Sequence, residues 1–255
     1  MILGDTHGIW MPMQKKLNRA GKLGIKTVLV VGDFGLWTHQ HEGHMFLDNV
    51  QKCAEKNNLS VYAIGGNHEN WDHWNWYIEN NPKAAGWAFI RSRILIAPRV
   101  HAWRWGDQLW VGAGGGVSVD RDWRLQYEAK HHGPKTAYWP NEQLLDSDVQ
   151  TIRDWGVRPT YLITHDCSNY TPFQERLKND IDSHIHRQRI DEVLRATRPE
   201  MHFHGHMHEK YDWLNGTTYG HEHFTQTYGL ENDDKWYSYG ILDTKEKSWT
   251  WRDED

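Results

Sequence analysis

Side chains of the kind that bind metal ions recur at the ends of apolar, β-type runs along most of this chain. One such run, Thr27–Val31, is rich in β-branched residues, which is typical of a strand buried on both faces. The carboxyl ends of strands in an open α/β sheet are where binding sites collect. We therefore expect an α/β fold in which distant stretches of the chain meet at one site. The five stretches are Asp5-Thr6-His7, Gly32-Asp33, Gly65-Gly66-Asn67-His68-Glu69, Thr164-His165-Asp166 and Gly205-His206-Met207-His208.

The residue types in these stretches form one mixed set of donors. Side chains two residues apart on an extended strand face the same way, so Asp5 and His7 should project together, and so should His206 and His208. Glycines directly before several of the donors allow the backbone to turn sharply. Carboxylate, imidazole and amide donors together suit Mn²⁺, Zn²⁺ or Fe, and they suit Ca²⁺ poorly.

The order of these motifs resembles that of the calcineurin-like metallophosphoesterases, whose signature runs D-x-H, G-D, G-N-H-[DE], H and G-H-x-H. The resemblance extends from Asp5 to His208. It implies a four-layer α-β-β-α sandwich with two mixed sheets, and a site for two divalent metal ions, of which Mn²⁺ is the expected one and Fe and Zn²⁺ are alternatives. The segment Gly32-Asp33-Phe34-Gly35 looks like a subset common among phage and bacterial members.

The resemblance also implies a role for each donor. A water or hydroxide shared by the two ions would attack the phosphorus, because divalent cations lower the pKa of bound water. His68 would not be a ligand and would donate a proton to the leaving oxygen as the general acid. Asp5, His7 and His208 would hold the first ion, Asn67, His165 and His206 the second, and Asp33 would bridge both.

The segment around Asp33 departs from the family pattern. Many relatives carry G-D-x-x-D, whereas Leu36 stands at the position of the second aspartate here. Further along, the glycines 114–116 permit a tight loop near the site, and Arg121 or Arg124 beyond it could contact the substrate phosphate, together with Asn67 and His68. Structural ion pairs are an equally favoured role for the two arginines.

Aromatic and histidine residues outside the motifs are ambiguous. Trp71, Trp74 and Trp76 follow the Asn67-His68 motif, so one of them could stack on a nucleobase, although packing in the core is the favoured alternative. His186 has no motif around it and is expected to be structural, and His204 is expected at most to support the site.

Composition limits the partners and the location of the protein. The net charge is −5 and no long basic block is present, which argues against a partner as large as long DNA or RNA. No apolar run is long enough to cross a membrane, and the first motif leaves no room for a signal peptide. The two cysteines, Cys53 and Cys167, form no paired motif. We expect a single cytoplasmic domain over residues 1–255.

The predicted function is metal-dependent hydrolysis of small phosphodiesters, with 2′,3′-cyclic or other nucleotide phosphodiesters and phosphomonoesters as candidate substrates. A protein phosphatase, a nuclease and a non-catalytic binding scaffold of the same fold are the alternatives. The scaffold is disfavoured because such members typically lack the catalytic histidine or several ligands, and His68 and the ligand positions are all present here.

Local patterns predict the secondary structure as follows. Helices are expected over Gln14–Leu23, Gly43–Lys56, Trp71–Ile78, Asn141–Trp155 with Asn141 as the N-cap, and Arg187–Thr197. Strands are expected at Thr27–Val31, Ser60–Ile64, Tyr161–Thr164 and Met201–His204. A second sheet should contain Ile94–Ile96, His101–Trp105 and Leu109–Gly112, and a closing hairpin should pair Trp236–Leu242 with Lys247–Trp251.

Overall fold

The structure is a computed structural model that describes residues 1–131, 137–172, 180–215, 224–233, 235 and 237–251. Helices α1 to α6 span Trp10–Lys22, His41–Lys56, Trp71–Asn80, Arg121–His131, Asp146–Trp155 and Ile181–Thr197. Strands β1 to β7 span Ile2–Leu3, Thr27–Val30, Ser60–Ala63, Lys83–Ala84, Trp87–Arg91, Ile94–Ile96 and Val100–Trp105. Strands β8 to β14 span Gln108–Ala113, Tyr161–Thr164, Met201–His204, Tyr211–Asn215, Thr225–Gly229, Tyr239–Asp243 and Ser248–Trp251.

The described strands form two mixed sheets. The first has eight strands in the order β14-β13-β1-β2-β3-β6-β5-β4, with β1, β2, β3 and β6 parallel. The second has six strands in the order β11-β12-β10-β9-β8-β7, with β8, β9, β10 and β12 parallel. Antiparallel strands flank the parallel part in each sheet.

Three apolar clusters show how the layers pack. One cluster lies between the first sheet and helices α1 to α3, and includes Leu17, Val50 and Trp74. A second lies between the two sheets and includes Leu29 of β2 and Phe203 of β10. A third packs the second sheet against α5 and α6. The predicted four-layer α-β-β-α sandwich with two mixed sheets is confirmed.

Parallel pairing brings the motif stretches to one edge. Strands β1, β2 and β3 are adjacent and parallel, so the segments that follow them begin side by side. Strands β9 and β10 are likewise adjacent and parallel in the facing sheet. The residues after these five strands therefore converge across the top of the sandwich.

Some predicted elements were placed wrongly. Ile94–Ile96 forms β6 of the first sheet, beside β3, and does not belong to the second sheet. Helix α5 begins at Asp146, not near Asn141, because Asp148 accepts a hydrogen bond from the backbone N–H of Leu145 at 2.9 Å and stabilises a later helix start. The closing hairpin is present as β13 and β14, although Trp236 lies outside the described residues.

Helix α4 was not predicted from the sequence. Its apolar side chains Trp123, Leu125 and Tyr127 are exposed, whereas the polar side chains of Arg124 and Glu128 are buried. This reversed pattern gives no apolar stripe of helical period for sequence reasoning to detect.

Among the described helices, none combines the length and apolar character that crossing a bilayer requires.

Candidate metal centre

The predicted ligands lie in tight turns directly after the strands. His7, Asp33, His206 and His208 all have positive φ angles, of 42°, 47°, 62° and 53°. The strand alternation expected for Asp5 and His7, and for His206 and His208, was therefore wrong, although Asp5 and His7 still lie together with their ligand atoms within 4.8 Å. Left-handed backbone is uncommon for residues other than glycine and is concentrated at functional sites, since surrounding contacts must hold it there.

A first group of donors contains Asp5, His7 and His208, whose ligand atoms lie within 4.8 Å of one another. Nε2 of His208 is 2.9 Å from Oδ2 of Asp5. Asp5 is fully buried and also accepts a hydrogen bond from the backbone N–H of His206 at 3.0 Å. These three residues match the set expected for the first ion.

A second group contains Asp5, Asp33 and His165, again with ligand atoms within 4.8 Å of one another. The carboxylate of Asp33 lies 3.4 Å from Nε2 of His7 and 3.4 Å from Nε2 of His165. Asp33 therefore touches both groups, as a bridging ligand must. His206 lies farther out, with its ring centre 5.0 Å from that of His165, and it belongs to neither of these groups.

Two hydrogen-bond acceptors face each other beside Asp33. Nδ1 of His165 lies 3.1 Å from the carbonyl oxygen of Val31, so this nitrogen carries the proton and leaves Nε2 with its lone pair. The amide nitrogen of Asn67 donates to Oγ of Ser118 at 3.1 Å, which turns Oδ1 of Asn67 toward that Nε2 at 2.9 Å. Such a pair requires either a second proton on His165 or a cation.

The charges around His165 also favour either a second proton on its ring or a bound cation. Burial alone would lower the pKa of His165, but the carboxylates of Asp33 and Asp5 raise the pKa to about 9. A divalent cation satisfies the same lone pairs without a proton, and the mix of carboxylate, imidazole and amide oxygen suits borderline metals. The residues present therefore fit a metal centre.

Asp233 supports His7, and this role was not predicted from the sequence. Its two carboxylate oxygens lie 3.2 and 3.1 Å from Nδ1 of His7, which leaves Nε2 of His7 directed to Asp33. Although burial alone would lower the pKa of His7, hydrogen bonds to Asp233 and Asp33 raise it to about 11. Carboxylates in this position fix the orientation of metal-binding histidines. Asp233 lies 226 positions from His7, so no local motif could have indicated the contact.

Glu142 supports Asn67 through Ser118. The hydroxyl of Ser118 donates to Glu142 at 2.8 Å, and its backbone N–H donates at 2.5 Å. Burial raises the pKa of Glu142 to about 7. Gly116 was expected to permit a tight loop here, and a Cβ atom at this position would lie 3.2 Å from Oδ1 of Asn67.

The loop that carries Asp33 is held by Glu69. The buried carboxylate of Glu69 accepts hydrogen bonds from the backbone N–H groups of Phe34, Gly35 and Leu36 at 2.5, 3.3 and 2.8 Å. Leu36 packs in the apolar core, where no ligand role is open to it. The glutamate that ends the Gly-Asn-His-Glu motif therefore fixes this loop without the second aspartate of the family pattern.

Two histidines outside the motifs, His186 and His204, lie behind the motif stretches. His186 is fully buried, and its Nδ1 lies 2.9 Å from Asp166, whose other oxygen is 4.0 Å from Nε2 of His206. His204 is also buried and contacts the hydroxyl of Tyr211 and the carbonyl of Gly205. Both positions are consistent with supporting roles.

His68 lies at the rim of the centre, beside Arg124. Nη2 of Arg124 is 2.9 and 2.5 Å from Nδ1 and Nε2 of His68, and Nε2 of His68 is 3.9 Å from Asp33. Burial and the guanidinium of Arg124 lower the pKa of His68 to about 4 although Asp33 opposes them. His68, His7 and Asp33 also form a third group with ligand atoms within 4.8 Å, but the adjacent guanidinium would repel a cation bound at His68.

The two candidate arginines differ in their surroundings. Arg124 is buried and held by Asp120 at 2.8 Å and by the carbonyl of Ala137 at 3.1 Å, with its remaining nitrogen at His68. Arg121 is half-exposed and pairs with Asp182 at 2.8 Å. Arg121 therefore has the structural ion-pair role, whereas Arg124 reaches the site and contacts His68.

The tryptophans after the Asn67-His68 motif do not line the cavity next to His68. Trp71 and Trp74 are buried in the first apolar cluster, as the packing alternative predicts, and Trp76 is exposed. Other aromatic residues, Trp37 and Trp123 among them, line a cavity of about 290 Å³ next to His68.

Similarity to a solved structure supports the observed fold. The chain is similar to TT1561 of Thermus thermophilus, with 10% sequence identity and a TM-score of 0.57 over 98% of this chain and 96% of that chain. It is also similar to a novel archaeal phosphodiesterase, with 13% identity and a TM-score of 0.41 over 98% and 95% of the two chains. No curated protein matches the chain.

The sequence profile of the calcineurin-like phosphoesterases matches residues 1–210. That span contains every motif stretch from Asp5 to His208, and members of this family are metal-dependent hydrolases of phosphoester bonds. The chain belongs to the calcineurin-like phosphoesterase family.

Proposed function

We propose that this protein hydrolyses small phosphodiesters at a centre of two divalent ions, with Mn²⁺ as the metal of choice. The observation that carries the proposal is the position of Asp33, whose carboxylate lies 3.4 Å from both His7 and His165 and so joins the two donor groups. The proposed ligands are Asp5, His7, Asp33, Asn67, His165, His206 and His208.

The chain's own side chains prepare the site for a phosphate. Asp233 and Glu142 orient His7 and Asn67, so donor atoms are held in place before any ligand arrives. When bound, the ions would activate water for attack and neutralise the charge of the phosphate. The guanidinium of Arg124 adds a further positive group at the rim, where a phosphate oxygen would pass.

His68 is the proposed general acid. Its ring lies between Asp33 and Arg124 and remains partly exposed, so it can meet a substrate oxygen that points out of the centre. In its imidazolium form, which the negative charge of a bound phosphate would favour against burial and Arg124, His68 would protonate the leaving oxygen. The binding-scaffold alternative is disfavoured because His68 and all the proposed ligand positions are present.

Charge favours a small substrate. The chain has a net charge of −5, and the half-exposed Arg121 is already paired with Asp182. A long polynucleotide binds through many phosphate contacts, and its affinity falls steeply as salt rises. A mononucleotide needs only the centre, His68 and Arg124.

The expected result is that, with Mn²⁺ supplied, kcat/KM for a mononucleotide diester, linear or 2′,3′-cyclic, exceeds that for long RNA or DNA counted per cleavable bond. The comparison should include a phosphomonoester and a phosphopeptide, and should be repeated at several salt concentrations. Faster cleavage of long polymers with a steep loss at high salt would identify a nuclease. A preference for the phosphopeptide would identify a protein phosphatase.

A further inference from the structure

A cavity of about 290 Å³ opens beside His68, on the side away from the donor groups. Its volume is just below the range of about 300–1,000 Å³ that is usual for small-molecule pockets. The residues that form its aromatic and cationic lining are Trp37, His68, Trp123, Arg124, Tyr127 and Trp139.

Most of this lining is fixed. Trp139 is 2% exposed, and the indole N–H of Trp37 donates to the carbonyl of His68 at 2.5 Å. Arg124 is held by Asp120 and Ala137. A planar ligand would therefore enter a preformed space and would not have to order these side chains.

Trp123 is the most exposed of these aromatic side chains, with 62% of it exposed. It lies four residues before Tyr127 on α4, and the two rings stack at 5.4 Å with 24° between their planes. One face of this aromatic pair is thus left at the mouth of the cavity. Exposed aromatic surface at a cavity with a few convergent polar groups is typical of a ligand site.

The position of His68 fixes which part of a substrate the cavity receives. Nε2 of His68 is 3.9 Å from Asp33, while the same ring forms part of the cavity wall. A general acid gives its proton to the leaving oxygen, so the leaving group lies on the cavity side of the phosphorus. The non-leaving substituent points elsewhere.

We propose that this cavity binds the nucleoside leaving group of a phosphodiester, with its base stacked on Trp123; this subsite rests on the function proposed above. In the reaction the P–O bond to the nucleoside breaks and a P–O bond to the oxygen of water forms. The proton of His68 goes to the nucleoside oxygen, and the proton lost by water passes to solvent, from which His68 is reprotonated. Stacking on an aromatic face accepts any base, so little base preference is expected.

The kinetic test uses two diesters that share a methyl phosphate and differ only in the other alcohol, adenosine 5′-(methyl phosphate) and glyceryl methyl phosphate. Trp123→Ala should lower kcat/KM roughly tenfold for the adenosine diester, as expected for loss of one stacking face, and less than about twofold for the glyceryl diester. The matched control is Trp76→Ala, since Trp76 is 54% exposed on α3 and does not line the cavity; it should change neither value. The released products should be adenosine and methyl phosphate.

Equal losses on both diesters, or release of methanol and adenosine 5′-phosphate, would overturn the subsite. A second arm needs no catalysis: equilibrium dialysis of adenosine against wild type, Trp123→Ala and Trp76→Ala. Binding that Trp123→Ala alone weakens supports the subsite even if neither diester is hydrolysed, in which case only the proposed function fails. Equal binding by all three proteins, or none by wild type, would overturn the subsite itself.

Discussion

Asp33→Asn is expected to abolish phosphoesterase activity and to weaken the binding of both metal ions together. Asp33 is the carboxylate that lies 3.4 Å from His7 and from His165, so its loss would remove the donor that the two proposed ions share. Asparagine has the same shape and tolerates the positive φ of 47° at this position, so the backbone turn should survive. Asp33→Ala should lose activity as well, with an added risk to the turn.

Comparing metal binding by three variants tests how much Asp33 contributes. Asp233→Asn alters the carboxylate that supports His7 without removing a proposed ligand, and it should weaken metal affinity by roughly 10–100-fold, as is usual for groups behind a ligand. Asp33→Asn should weaken metal affinity more than Asp233→Asn does. Asp48→Asn, which alters an exposed carboxylate paired with Arg91, is the matched control and should bind metal as wild type does. Metal content by elemental analysis, with circular dichroism to check folding, measures all three. If Asp33→Asn kept both ions, the bridging role would be wrong.

His68→Ala is expected to keep both metal ions and to lower turnover by roughly 10²–10⁴, the usual contribution of a positioned proton donor. Arg124 is the reason to expect retained metal, since its guanidinium is 2.9 Å from Nδ1 of His68 and disfavours a cation there. The loss should shrink for nitrophenyl esters, because nitrophenolate leaves without needing a proton. This dependence on the leaving group separates an acid from a residue that only shapes the site.

The control for this variant is His44→Ala, an exposed histidine of α2 that should leave both metal content and turnover unchanged. Loss of a metal ion from His68→Ala would instead make His68 a ligand, as its proximity to His7 and Asp33 allows. An equal loss of rate for good and poor leaving groups would argue against proton donation.

Strands with strong local patterns were predictable from the sequence. The runs before Asp33, Asn67, His165 and His206 are strands that agree with the predictions to within one residue. Parallel pairing then brings their ends together, so the motifs indicated which residues would meet. The family assignment followed from the same stretches.

The detailed geometry of the site was not predictable in this way. Left-handed backbone at His7 and His208 depends on contacts from distant segments, and no local pattern signals it. Asp233 and Glu142 act from loops far along the chain from the residues they support. Trp123 carries no signal either, because helix α4 exposes its apolar side chains and buries polar ones.

The central claim is that two metal ions at the Asp33 centre are required for hydrolysis. The direct test is to remove all metal by chelation, verify this by elemental analysis, and titrate the protein with Mn²⁺ while measuring both bound metal and turnover of a mononucleotide diester. We predict no turnover without metal, and full turnover only as the second ion per chain binds. Full activity in the metal-free protein, or saturation of activity by one ion per chain, would contradict the two-metal centre.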